Sequence, residues 1–198
     1  MKYKLYMFDF DLTIADAIEA TKTAYRRAFA AVGETFDDEK IFYYLTVPLK
    51  TAYYKSEELY AVFQNEFFIS SAETSGDVTF YDDVFPLLER IKAEGGKIGL
   101  VTNRNPSFMR AFYECHPEFE NIMDCVITSG DVKERKPSPE PILKCLEIMG
   151  VDEKDAVYIG DAPNDYKSAA AAGVDFIAID RYGFNLLTDA KKDLADIA

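Results

Sequence analysis

Hydrophobic residues gather in short runs along this chain. The runs "KLYMFDF", "KIGLVTN", "DCVITSG", "DAVYIGD" and "DFIAID" are nearly continuous in apolar residues and end in small or polar ones. A strand covered on both faces has this pattern, whereas a half-exposed strand alternates. Between the runs the spacing becomes helical. Val84, Leu87, Leu88 and Ile91 recur at i, i+3, i+4 and i+7 before the stop "EGG", and Ile142, Leu143, Leu146 and Met149 do so before Gly150. "NDYKSAAAAG" predicts an alanine-rich helix closed by Gly173. Strand and helix alternate, which predicts an α/β chain built on a parallel sheet with right-handed crossovers.

The segment 15–76 departs from this pattern. It shows helical stripes, such as Tyr25, Ala28, Phe29 and Val32 ended by Gly33, and further ones in "DDEKIFYYL" and "SEELYAVFQNEFF", but no convincing strand. A helical insertion after the first strand is the simplest account, with 1–14 and 77–198 forming the core and 15–76 a small helical domain. Aromatic residues crowd the insertion, and a bundle packing on itself accounts for most of them.

Composition narrows the partners. At 198 residues, 48% hydrophobic and 29% charged, the chain can bury a sizeable core and has the make-up of a soluble globular protein. No stretch approaches the roughly 18 apolar residues that span a bilayer. The N-terminal "KLYMF" is too short for a secretory segment. The expectation is a cytoplasmic protein that binds no membrane. Cys115, Cys125 and Cys145 are odd in number and lack a C-x-x-C spacing, so they are expected to be free thiols, mostly buried. A net charge of −13 argues against a nucleic-acid partner and requires any anionic substrate to be met by local cations. An acidic monomer, or a weak homodimer formed through the aromatic insertion, is expected.

The chemistry collects at the strand ends. "YMFDFDLT" places Asp9 and Asp11 two positions apart, and in a strand residues i and i+2 face the same way. Close carboxylates disfavour each other's ionisation unless a cation or a shared proton intervenes. The other runs end in Thr102 and Asn103, in Ser129 and in Asp161. Lys136 lies in "SGDVKERKPSP", and Asp165 follows Asp161 in "GDAPND". Open parallel sheets bind ligands beyond the carboxyl ends of their strands. Gathered at one rim, these residues give an acidic metal site beside a hydroxyl, an amide and an ammonium, as phosphoryl transfer requires. Singly, each has a plainer role: a strand-end Asp is most often a cap, and a lone lysine is most often solvated. The order of all four carries the inference.

With "DFDLT", "LVTN", Lys136 in "KERKPSPE" and "GDAPND" in sequence, the chain resembles the haloacid dehalogenase-like hydrolase superfamily, in its phosphatase branch with a helical cap after the first motif. The resemblance implies a Rossmann-like doubly wound sheet with an inserted helical cap that acts as a lid. It further implies a Mg²⁺-dependent phosphatase acting on small phosphorylated metabolites. Asp9 would be the nucleophile, forming an aspartyl-phosphate, and Asp11 the general acid and base. Mg²⁺ would lie among the Asp9 carboxylate, the Asp11 backbone carbonyl and Asp161, with Asp165 supporting or coordinating. Thr102 and Asn103 would hold the phosphoryl oxygens, and Lys136 would offset the charge around the nucleophile. Leu12 stands where glycine is the commoner family choice. Asp16 matches relatives as a helix cap, and "YLTVPLKTAY" resembles the segment that reads the leaving group in phosphoglycolate- and pyrophosphate-cleaving relatives. Thr46 and Lys50 are its specificity candidates. Lys50, Lys55 and Arg104 are the cations available for a second anionic group, although a solvated charge is the commoner role for each. Alternative readings are a sugar phosphomutase of the same fold and a noncatalytic Mg²⁺- or phosphate-binding regulatory protein. A haloacid dehalogenase would have no need of Asp11.

Overall fold

The computed structural model describes residues 2–194 and 197. The strands are β1 (Leu5–Phe8), β2 (Ala15–Asp16), β3 (Thr79–Phe80), β4 (Lys97–Val101), β5 (Cys125–Ile127), β6 (Ala156–Gly160) and β7 (Asp175–Ala178). The helices are α1 (Ile18–Ala31), α2 (Ile41–Thr46), α3 (Leu49–Ala52), α4 (Glu57–Glu73), α5 (Val84–Ala93), α6 (Pro106–Cys115), α7 (Pro117–Ile122), α8 (Glu140–Met149) and α9 (Pro163–Ala172). Among the described residues, none of these helices is long and apolar enough to cross a membrane.

The chain divides into two compact units. The first comprises Met1–Asp16, Phe80–Pro106 and His116–Ala198. Its sheet runs β5-β4-β1-β6-β7, with every recorded pairing parallel. The five apolar runs of the sequence are its strands. β1 is central, and Leu5, Tyr6, Met7 and Phe8 are all fully buried. Burying each such side chain contributes about 1.5–3 kcal/mol, which explains why this strand is apolar at every position. Leu5, Met7, Ala156 and Tyr158 share one core cluster with Ile142, Cys145 and Leu146 of α8 and Ala169 and Ala172 of α9. Cys125 and Cys145 are buried and Cys115 is exposed, and all three are free. α8 and α9 end on Gly150 and Gly173 at φ 62° and 73°. That left-handed conformation is open to glycine at little cost, which is how these residues stop the helices.

Register sets the position of the site. Phe8 pairs with Leu100 on one side and Ile159 on the other, so Asp9, Thr102 and Asp161 all emerge at the carboxyl rim. The order of the sheet reverses around β1, and the crevice of a doubly wound sheet opens at such a point.

The second unit comprises Ala17–Thr79 and Ser107–Cys115. The sequence pattern leaves Ser107–Cys115 in the core. In the structure α6 packs close against Gly76, where a Cβ would come within 3.2 Å of Cys115 Sγ. The unit is a helical bundle with an aromatic core. Tyr25 stacks on Phe36 at 5.4 Å between ring centres, Phe29 meets Phe63 edge-on at 5.0 Å, and Tyr53 stacks on Phe63 at 4.7 Å. Asp16 stands one residue before the N-cap position of α1. It lies in β2 and accepts a hydrogen bond from the Tyr182 hydroxyl, and the residue preceding the helix is Ala17.

A partly buried ion pair braces the first unit. Arg181 donates through Nη1 and Nη2 to the Asp83 carboxylate at 2.7 and 2.9 Å, and Leu194 N–H donates to the same carboxylate at 2.6 Å. Burial alone would raise the Asp83 pKa, but these donors outweigh it and hold it below the ordinary value. A lowered carboxylate stabilises the fold above its unfolded pKa, and that stability disappears as the pH falls through the folded one. Asp83→Asn should therefore cost about 2–3 kcal/mol near neutrality and should flatten the acid limb of a melting-temperature profile below pH ~4. An unchanged acid limb would contradict this account.

Candidate active site

The first motif leaves the sheet earlier than strand alternation predicts. β1 ends at Phe8, and the chain then turns, with Ile14 and Ala15 N–H donating to the Phe10 carbonyl at 3.1 and 2.9 Å. Leu12 sits at φ 58°, a left-handed conformation that favours glycine, and its buried side chain holds it there. Asp9 and Asp11 therefore do not share a strand face. Asp9 turns toward Lys136, and Asp11 turns toward Arg104.

Lys136 is the centre of the site. Its Nζ donates to Asp9 Oδ1 at 2.5 Å and Asp165 Oδ1 at 2.7 Å, and it lies 2.7 Å from the Tyr158 hydroxyl and 3.1 Å from the Val101 carbonyl. Lys136, Asp9 and Asp165 are 5%, 7% and 1% exposed. The lysine backbone is fixed by Asn103, whose Nδ2 donates to the Lys136 carbonyl and whose Oδ1 accepts from the Lys136 N–H, both at 3.1 Å. The Asn103 side chain is thus engaged by Lys136. Thr102 is buried at the end of β4, its N–H donates to the Ile127 carbonyl at 2.9 Å, and its Oγ1 accepts from Arg104 N–H at 3.1 Å.

Asp165 lies in the first turn of α9, where its Oδ2 accepts from Ala162 N–H at 3.0 Å. Gly160 makes room for it: a Cβ at residue 160 would lie 2.6 Å from Asp165 Cβ and 2.7 Å from its Oδ2. Gly160→Ala should therefore displace Asp165 from Lys136. It should cost about 1–3 kcal/mol, as an overpacked core does. Unchanged stability in denaturant titration would show that the crowding is relieved elsewhere.

The carboxylates outnumber the ammonium. Oxygen atoms of Asp9, Asp161 and Asp165 all lie within 4.8 Å of one another. Asp161 also accepts from Thr13 Oγ1 at 3.4 Å. Burial, then the Asp165 carboxylate, pushes Asp9 up to about 7 against the pull of Lys136. Burial, Asp165 and Asp9 likewise raise Asp161. Burial would lower Lys136, but Asp165 and Asp9 outweigh it and raise its pKa, so the lysine stays charged. An all-oxygen donor set with uncompensated negative charge fits a hard divalent cation such as Mg²⁺.

Sequence reasoning missed Tyr158 and Arg181 and misjudged Arg104. The Tyr158 hydroxyl sits 2.9 Å from the Val101 carbonyl and 3.2 Å from Asp165 Oδ1; its only signal was a phenol within an otherwise aliphatic strand. Arg181 donates through Nη2 to the Thr13 carbonyl at 2.9 Å and so anchors the turn after Asp11. Arg104 is not a solvated charge. Its Nε and Nη2 donate to Asp11 Oδ2 and Oδ1 at 2.8 and 2.6 Å, and its side chain is 14% exposed. Lys50 pairs with Glu57 at 2.7 Å and lies over the Tyr54 ring, and Lys55 pairs with Glu34. Thr46 closes α2, and its side chain lies outside the described residues.

Known proteins resemble this chain in sequence and fold. The phosphoglycolate phosphatase of Escherichia coli K12 is 32% identical over 114 residues, which cover 57% of this chain and 44% of that protein. That of Rhodospirillum rubrum is 33% identical over 105 residues, covering 53% and 43%. The chain spans about half the length of the curated relatives it matches. A subfamily IA HAD-superfamily hydrolase from Geobacter sulfurreducens superposes with a TM-score of 0.72 at 25% identity, covering 90% of this chain and 87% of that one. CbbY from Rhodobacter sphaeroides, solved with phosphate, gives 0.81 at 20% identity, covering 97% and 93%, a likeness of fold alone. The family profile described as "Haloacid dehalogenase-like hydrolase" matches residues 6–179. Because that match covers more than half of the chain, the chain belongs to the haloacid dehalogenase-like hydrolase family.

Proposed function

We propose that this protein is a Mg²⁺-dependent phosphatase of small phosphorylated metabolites that works through an aspartyl-phosphate on Asp9. The observation that carries the reading is the Lys136 ammonium joining Asp9 to Asp165, across 127 and 29 residues of sequence, in a buried pocket at the sheet's rim. A surface lysine has no reason to be there. Asp9, Asp161 and Asp165, with the Asp11 carbonyl, would hold the cation, which when bound neutralises charge on the phosphoryl group and the nucleophile.

The chain's own groups do the rest. An Asp9 oxygen attacks phosphorus as the ester oxygen departs, and Asp11 gives that oxygen its proton. Asp11 then takes a proton from a water molecule that attacks the same phosphorus. The bond to Asp9 breaks, and inorganic phosphate leaves. Thr102 donates to the phosphoryl oxygens. Lys136 keeps Asp9 ionised and oriented, and Asn103 and Tyr158 keep Lys136 in place. Thr46 and Lys50 in the helical unit are candidates for substrate choice, and phosphoglycolate is the first ester to try because the relatives carry that name.

Hydrolysis of a generic aryl phosphate with Mg²⁺, and again with excess chelator, tests the reading. Turnover is expected only with the metal; equal rates in both conditions would remove the metal from the account.

A further inference from the structure

The acid assigned to proton transfer is held by another group in this structure. Both Asp11 oxygens accept from Arg104, one from Nε and one from Nη2, in a fork-to-fork pair. A carboxylate with both oxygens bound in this way cannot protonate a leaving group until the pair opens. The pair is partly shielded, with side-chain exposures of 14% for Arg104 and 27% for Asp11, so a guanidinium that lets go needs another anion. Its backbone stays fixed meanwhile: Arg104 N–H donates to Thr102 Oγ1 at 3.1 Å, and its carbonyl accepts from Ser129 N–H at 3.0 Å. The backbone from which the guanidinium extends is thereby tied to the residue that would hold the phosphoryl oxygens. Lys136 cannot serve instead, because Asp9 and Asp165 occupy it.

We propose that Arg104 is an anion-exchange latch: a second anionic group on the substrate, a carboxylate or phosphate near the phosphoester, takes the guanidinium from Asp11 and frees Asp11 for proton transfer. The value of freeing Asp11 rests on the phosphatase reading above, but the exchange is itself a binding event. One oxyanion replaces another on the same donors, so charge balances and no covalent bond changes. Planar two-point recognition suits guanidinium and would be lost with lysine. Monoesters without a second anion leave the latch shut and are the poorer substrates.

Calorimetry with two non-hydrolysable probes tests the exchange in the Mg²⁺-loaded protein. Phosphonoacetate carries a phosphonate and a carboxylate, whereas methylphosphonate carries the phosphonate alone. An internal competitor reduces apparent affinity by the fraction of protein in the open state. Asp11→Asn should therefore bind phosphonoacetate about tenfold more tightly than wild type does, with methylphosphonate unchanged. Arg104→Gln should weaken phosphonoacetate, and in the double variant the gain from Asp11→Asn should vanish. Arg104→Lys, which keeps the charge without the fork, should recover only part of the affinity and provides a readout if the glutamine variant does not fold. A pair that only supports the fold would give no gain in Asp11→Asn, and this result overturns the latch. An equal gain for both probes overturns it as well, since the second anion would then be irrelevant. If the binding cycle holds but no phosphate ester is turned over, the latch stands and the phosphatase reading falls.

Discussion

Lys136→Met is expected to abolish turnover and to destabilise the fold by about 3–5 kcal/mol, the usual cost of removing one partner from a buried ion pair. Among the described residues the ammonium is the one cation that touches both Asp9 and Asp165, and all three side chains are almost wholly buried. Without it, two carboxylates remain in a pocket where burial already disfavours their charge. Asp9, which burial and the Asp165 carboxylate already push up to about 7, will then take up a proton near neutrality, and a protonated Asp9 is no nucleophile. Asp165→Asn in the same chain removes one of the stranded charges and should restore part of the stability without restoring turnover. Denaturant titration of both variants checks this. A Lys136→Met protein as stable as wild type would mean that the lysine does not hold the carboxylates together in solution.

Asp9→Asn should lower kcat by at least about a thousandfold, the scale on which loss of a nucleophile acts, while leaving the fold intact. Asparagine has nearly the same shape, so the pocket keeps its packing. It carries no charge, so the repulsion and burial that push Asp9 up to about 7 are removed. The variant should melt at or above the wild-type temperature even though it is inactive. Loss of activity together with loss of stability would make Asp9 a structural residue, and retained activity would exclude it from the chemistry.

What could be read in the sequence follows from how local each signal is. β1, β4 and β6 announced themselves because strands buried on both faces must be apolar at successive positions, as Leu5–Phe8 are. Helix ends at Gly150 and Gly173 were equally legible, since the left-handed stop needs glycine. Partnerships across long stretches of chain were not legible. Arg104 looks like any charged residue after a strand until Asp11, 93 residues away, is beside it. Tyr158 reads as core because its six neighbours in "DAVYIGD" tell nothing of the lysine beside it. The alternation argument for Asp9 and Asp11 failed for a local reason, because the strand stops at Phe8 and the turn around Leu12 sends the two side chains to different partners. The four motifs still brought Asp9, Lys136, Asp161 and Asp165 together, because the register of β1 between β4 and β6 leaves their ends at one rim.

The most direct test is acid quenching of the protein during turnover of a phosphate ester with Mg²⁺, followed by peptide mapping by mass spectrometry. The account predicts a phosphoryl group on the peptide containing Asp9, located at that residue and absent from Asp9→Asn. Steady turnover with unmodified Asp9 at every quench time, or a phosphoryl group on another residue, would contradict it.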